Sequence, residues 1–129
     1  MAQVKIFGVA PHLQKINTRF SDVIHECVVE ALQFPPDKRA HRFFPMALDD
    51  LVYPAGRSDA NTILEFSPIK GGTAATKKRL VRLLFEPVKQ KVGIDYGDME
   101  ICIQKFPAGN RGFRDKHGDE IKLDYKIEV

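Results

Sequence analysis

The chain has 129 residues, 43% of them hydrophobic and 29% charged, with a formal net charge of +3. This is the composition of one globular domain over residues 1–129, and no apolar run approaches the ~20 residues that a bilayer-spanning helix needs. The basic residues are dispersed. Their densest stretch is Lys77, Lys78, Arg79 and Arg82, with no tryptophan anywhere and no interleaved aromatics, so neither nucleic acid nor membrane is expected as a partner.

Residues 3–9, QVKIFGV, read as a first strand, and no basic region before a long apolar core marks a signal peptide. Pro11 breaks the pattern. From Leu13 to Leu32 the residues Leu13, Ile16, Phe20, Val23, Ile24, Cys27, Val28, Ala31 and Leu32 recur in steps of three and four, which predicts a helix with one buried face. Pro35 and Pro36 end it. Residues 39–46 read as a second strand, followed by a loop rich in Asp, Pro, Gly and Ser from Asp49 to Asn61.

The plan then repeats. Residues 62–69 read as a strand, Gly71-Gly72 as a turn and Thr73 as a helix N-cap. Leu80, Leu83, Leu84, Val88 and Val92 form a second helical stripe, which Gly93 is placed to end. Pro87 lies inside that helix, where proline costs about 3 kcal/mol unless the helix bends. Residues 98–106 read as a fourth strand and the tail from Ile121 to Glu128 as a short fifth.

At an offset of 60 the halves match in apolar character: Phe20 with Leu80, Val23 with Leu83, Ile24 with Leu84, Val28 with Val88, Leu32 with Val92, Phe34 with Ile94, Ile6 with Phe66, and Phe43 with Ile103. Pseudo-repeats of about 1–60 and 61–129 follow. The fold class is α/β (α+β): a two-layer sandwich of two fused β-α-β units, with both helices on one face of a four-stranded mixed sheet. Both alternation sets of VKIFGV and EICIQKF contain hydrophobes, so the other sheet face is expected to be buried against further copies of the chain. A ferredoxin-like domain also reads β-α-β-β-α-β and differs in having antiparallel neighbours within each half.

Cys27 and Cys102 form no C-x-x-C pair and read as two buried, reduced thiols, as in a cytoplasmic protein. His12, His25, His41 and His117 show no paired metal-ligand spacing. Neither metal nor cofactor is expected.

The stretches IHECVVEALQFPPDKR, AGRSDANTILEF, KGGTAATKKRLVRLLFEPVKQKVGI and GNRGFRDKHGDE make the chain resemble the tautomerase superfamily, whose fold includes the MIF-like proteins. The nearest branch is that of malonate semialdehyde decarboxylase-like proteins. The resemblance implies a homotrimer, an isomerase or lyase acting on a small 2-oxo or unsaturated acid, and a carboxylate-binding pocket beside an N-terminal proline that serves as base or acid. Position 2 is Ala2, which offers a primary α-amine only if Met1 is removed; with Met1 attached, the free amine moves out by up to ~3.6 Å. Gly71-Gly72-Thr73 stands where family members often carry an arginine, leaving Lys70 before it as a point charge. Arg39, His41, Arg57 and the turn at Arg111, Gly112 and Phe113 complete the implied substrate-binding groups. A non-catalytic trimeric relative that binds a small anion or another protein is the competing reading.

Overall fold

The structure, a computed structural model, describes residues 2–68, 73–110 and 112–117. Its elements are β1 (Ala2–Val9), α1 (Ala10–Leu32), β2 (Ala40–Met46), β3 (Thr62–Pro68), α2 (Ala74–Val92), β4 (Met99–Ile103) and a small hairpin of β5 (Gly112–Phe113) and β6 (Lys116–His117). The expected turn at Gly71-Gly72 and the expected fifth strand at 121–128 lie outside the described residues.

Four strands form one mixed sheet in the order β2-β1-β3-β4. β1 pairs parallel with β2, β3 pairs parallel with β4, and β1 and β3 pair antiparallel in the centre. The parallel neighbours within each half set aside the ferredoxin-like alternative. The two parallel ladders share one register: Val4 pairs with His41 and Leu64 with Ile101, partners that are each 60 residues apart from their counterparts. The same offset places Lys5 opposite its own repeat equivalent, Glu65, on the central ladder. A local two-fold axis therefore passes between β1 and β3.

α1 begins at Ala10, three residues before the expected Leu13. Pro11 ends the strand pattern and sits in the first turn of the helix, where the N–H it lacks has no intrahelical acceptor. The strand turns into this helix so closely that a Cβ on Gly8 would lie 2.9 Å from Leu13 Cγ. α2 is capped as expected. Thr73 Oγ1 accepts from Thr76 N at 3.1 Å, and Gly93, at φ 84°, donates its N–H to Val88 O and Lys89 O. β4 is shorter than expected: a 3-10 turn over Tyr96–Asp98 precedes it, and it ends at Ile103 where residues up to 106 were expected.

The core lies between the sheet and both helices. Val4, Ile6, Leu64, Phe66 and Met99 from the strands meet Leu13, Phe20, Ile24, Val28, Leu80, Leu84 and Val88 from the helices, all buried. Each such side chain contributes about 1.5–3 kcal/mol by leaving water. Both expected helix stripes are on this face.

The second sheet face is mixed in character, where both faces were expected to be apolar. Phe7, Phe44, Met46 and Ile63 share it with Gln3, Lys5, Arg42, Glu65, Ser67 and Glu100 by strand alternation. Phe7 and Phe44 stack there at 4.7 Å. Cys102 also belongs to this face and is exposed, a correction to the expectation of two buried thiols. Only Cys27, on α1, is buried, because Cys102 alternates away from the helix layer. No described helix is long and apolar enough to cross a membrane.

Candidate functional site

The sheet has two ends, separated by roughly 23 Å along β1 at the usual rise per strand residue. The first is the Ala2 end, where β1 and β2 start and β3 and β4 finish. The second is the Val9 end, where the reverse holds.

Ala2 is the first residue of β1 and pairs with Pro68, so the ladder fixes its backbone at the margin of the sheet. Arg39 immediately precedes β2 at this same end. Its Nη1 donates to Asp22 Oδ1 at 2.7 Å and to Ser21 Oγ at 3.4 Å, both on α1. Ser21 Oγ in turn shares a 2.7 Å hydrogen bond with His41 Nδ1. His41 pairs with Val4 and so faces the helix layer; its ring lies 6.1 Å from that of His25, edge to face. Burial, reinforced by the charges of Arg39 and His25, lowers the His41 pKa to about 4, so the imidazole is neutral at physiological pH. His25 Nε2 donates to Pro36 O at 2.6 Å, which fixes its tautomer. This chain of groups packs α1 against the edge strand β2.

Two lysines also meet at the Ala2 end. Lys77, in the first turns of α2, lies near Lys105, just past β4, and its pKa is lowered by desolvation and by the neighbouring ammonium. A paired ammonium cluster beside a helix start attracts an anion. Lys77 was read in the sequence only as part of a basic helical stretch. Its partner lies 28 residues away, and no sequence spacing reveals the pair.

Arg57 is at the far end. Its Nη1 donates to Gly97 O at 2.7 Å, and its Nη2 sits 3.0 Å from Glu100 Oε1. Glu100 is level with Ile63 and so with Phe7, about 17 Å from Ala2 along β1. Within one subunit, then, Arg57 and Ala2 do not share a pocket. Beside Arg57, Ser58 donates its N–H and hydroxyl to the two carboxylate oxygens of Asp98 at 2.7 and 2.6 Å. The loop from Asp49 to Asn61 is thereby tied to β4.

Lys70 and Arg111 lie outside the described residues. Gly112 and Phe113, expected in a turn, form strand β5 and pair with β6, while Arg114 and Asp115, at φ 53° and 63°, make the turn. The described candidates thus divide: Ala2, Arg39 and His41 belong to one end of the sheet, Arg57 to the other.

A mixed sheet of two β-α-β units, with parallel neighbours within each half, is the architecture of a protein of the tautomerase kind. A family profile described as "Tautomerase enzyme" matches residues 38–114, more than half of the chain, and the chain belongs to that family. Its fold is similar to malonate semialdehyde decarboxylase at 17% identity, with a TM-score of 0.78 over 86% of this chain and 89% of that one. An asymmetric trimer of wild-type fused 4-OT matches at 15% identity and TM-score 0.80, over 92% and 97%. A member of the cis-3-chloroacrylic acid dehalogenase family matches at 16% and 0.75, over 92% and 87%.

Proposed function

We propose that the protein acts on a small 2-oxo or unsaturated carboxylic acid at the Ala2 end of the sheet, as a homotrimer. The Ala2 α-amine, freed by removal of Met1, serves as general base. The observation that carries this reading is the place of Ala2 itself, anchored by its pairing with Pro68 at the end where Lys77 and Lys105 converge. A primary α-amine titrates around 7.7–8.0, and neighbouring ammonium groups lower that value toward neutrality. Such an amine takes a proton from the carbon next to the keto group; the electron pair moves to the keto oxygen, which is protonated as the enol. A lysine ammonium holds the substrate carboxylate as a point charge, less specifically than a bidentate arginine.

Keto–enol exchange of phenylpyruvate, followed in the ultraviolet, tests this. Two preparations are compared, one with Met1 removed and one with it retained, each verified by mass spectrometry. Turnover by the processed form alone is the expected result. Equal activity in both forms, or none in either, defeats the role given to Ala2.

The second reading, a non-catalytic binder of small anions or of another protein, is supported by the arginines. Arg39 is held by Asp22, and Arg57 by Gly97 and Glu100. Arg57 thus has both terminal nitrogens engaged, and Arg39 has one. A basic groove of about 500 Å³ along α2, lined by Ala75, Lys78, Arg79, Arg82 and Leu83, suits the same reading.

A further inference from the structure

α2 holds the chain's surplus of positive charge. Over Ala74–Val92, Lys77, Lys78, Arg79, Arg82, Lys89 and Lys91 stand against Glu86 alone, which leaves the helix at +5 and the rest of the +3 chain at −2. Several of these cations are committed. Arg79 is bridged to Glu30 at 3.5 Å, Lys91 to Glu26 at 3.6 Å and Lys89 to Asp95 at 3.9 Å. Lys78 and Arg82 are exposed and have no ion pair among the described residues. They lie four residues apart on one helix face, a spacing at which like charges repel and cost stability. A partner that neutralises them turns that repulsion into attraction.

The same two cations line the groove of about 500 Å³ on α2, with Ala75 and Leu83 as its apolar wall and Arg79 drawn aside by Glu30 on α1. From Ala75 to Leu83 the helix rises ~12 Å, the reach of about four residues of extended chain. The apolar stripe of α2, Leu80, Leu84, Val88 and Val92, is buried in the core, so this helix has no free apolar face to lay into a bilayer. No aromatic side chain is among the groove's lining residues to stack on a base. Phe7 and Phe44 stack on the opposite side of the sheet, so a further copy of the chain covering that side leaves the groove open.

We propose that this groove binds an acidic peptide segment of another protein, one in which carboxylates flank a single aliphatic side chain. The carboxylates pair with Lys78 and Arg82, and the aliphatic side chain lies against Ala75 and Leu83. Charge complementarity selects the partner's sign, and the apolar wall favours a peptide over a chain of phosphates. The proposal gives the groove its partner and stands whether or not the Ala2 end is catalytic.

The experiment titrates the full-length protein into fluorescein-labelled Asp-Glu-Leu-Asp-Glu and follows anisotropy at low ionic strength. For so short a ligand, Kd on the order of 10⁻⁴ M is expected, weakening as salt shortens the range of the charges. Arg82→Glu and Lys78→Glu, both at exposed positions, each weaken binding at least about tenfold, and Arg82→Lys restores most of it. Lys15→Glu, an equal change of net charge on α1, leaves binding within about twofold. The uncharged peptide Asn-Gln-Leu-Asn-Gln does not bind, and Asp-Glu-Gly-Asp-Glu binds more weakly than its leucine parent. Arg82→Glu leaves exchange of phenylpyruvate as it is in the wild type. Three results overturn the proposal: equal weakening by Lys15→Glu, which makes the attraction one of net charge alone; equal binding of the glycine peptide, which removes the apolar wall; or tighter binding of duplex DNA or phosphatidylserine vesicles, lost with the same two variants, which gives the groove to another class of partner.

Discussion

Cys27 Sγ on α1 donates to the carbonyl oxygen of Leu83 on α2 at 3.9 Å. That carbonyl is the one Pro87, four residues on, leaves without a helical donor. Cys27 and Pro87 are also repeat equivalents, 60 residues apart, so the thiol at one position offsets the missing N–H at the other. Burial first, then the nearby Glu30 and Glu26, raises the Cys27 pKa to about 11, which keeps the thiol protonated and able to donate.

A double-mutant cycle tests this link. Cys27→Ala in the wild-type background is expected to cost about 1–2 kcal/mol of unfolding free energy, from a lost donor and a small cavity. In a Pro87→Ala background, where a backbone N–H again reaches Leu83 O, the same change should cost about 0.5–1 kcal/mol less. Equal costs in denaturant unfolding of the two backgrounds would show that the thiol contact carries no energy.

His41 makes stability depend on pH. Its folded pKa, about 4, lies below the unfolded value of 6.5, so between these values the unfolded chain binds more protons. Stability is therefore full above about pH 6.5 and is lost as pH falls toward 4, by about 1–2 kcal/mol once solvent screening of this half-buried group is allowed for. The His41→Asn variant should flatten urea-derived stability across that window. A variant as steep as wild type would place the titration elsewhere.

Asp98 holds the loop carrying Arg57. Burial alone would raise its pKa, but the hydrogen bonds from Ser58, with Arg57 and His12 nearby, outweigh burial and lower it. Asp98→Ala strands the Ser58 N–H and hydroxyl and should cost about 2–3 kcal/mol. Its folded pKa is depressed, so its contribution is present above the unfolded carboxylate range and disappears as pH falls below it. Thermal melts of wild type and variant that lie within a degree of each other would contradict this anchor.

The fold was legible because its determinants are periodic. The stripes from Leu13 to Leu32 and from Leu80 to Val92 point to the core, and the 60-residue offset that matched Ile6 with Phe66 is the one that sets the strand register. Pro11 marks the end of the first strand as read, but the helix start was set three residues late, because sequence order alone does not show that proline occupies the first turn. Cys102 was misplaced because an apolar run in an edge strand does not say which face the helices cover. The site was far less legible. Ser21 with His41, Lys77 with Lys105, and Ser58 with Asp98 are brought together by packing between elements. Ala2 was named through the family resemblance, and the first strand, read from residue 3, begins with it in the structure.

The mixed outer face predicts the assembly. Phe7 stacked on Phe44, with Ile63 beside them, forms an apolar patch among Lys5, Arg42, Glu65 and Glu100. Sedimentation at micromolar concentration is expected to give a trimer. Phe44→Glu, which places a charge on a half-exposed ring position, should yield a folded monomer. A wild-type monomer, or a trimer indifferent to Phe44→Glu, would remove this face from the interface.

The last prediction concerns the base. With Met1 attached, the nitrogen of Ala2 is an amide and cannot accept a proton from substrate, while the true amine lies up to ~3.6 Å further out, beyond reach of a proton positioned for residue 2. Met1-bearing protein should therefore show little turnover of phenylpyruvate. Ala2→Pro with methionine processing supplies a more basic, more rigid secondary amine at the same place in the strand, and Gly72→Arg supplies a guanidinium where the sequence carries none. If the Ala2 end is otherwise competent, each change raises kcat/KM, and together they raise it by about 10²-fold or more, the scale of one well-placed acid–base group. Gly72→Arg should act mainly on KM, because it adds substrate binding, and Ala2→Pro mainly on kcat, because it changes the group that moves the proton. Robust turnover by the Met1-bearing wild type would defeat this account of the base and direct attention to the lowered pKa of Lys77. A double variant that binds phenylpyruvate without turning it over would favour the non-catalytic reading, because binding at the Ala2 end would then exist without the geometry for proton transfer.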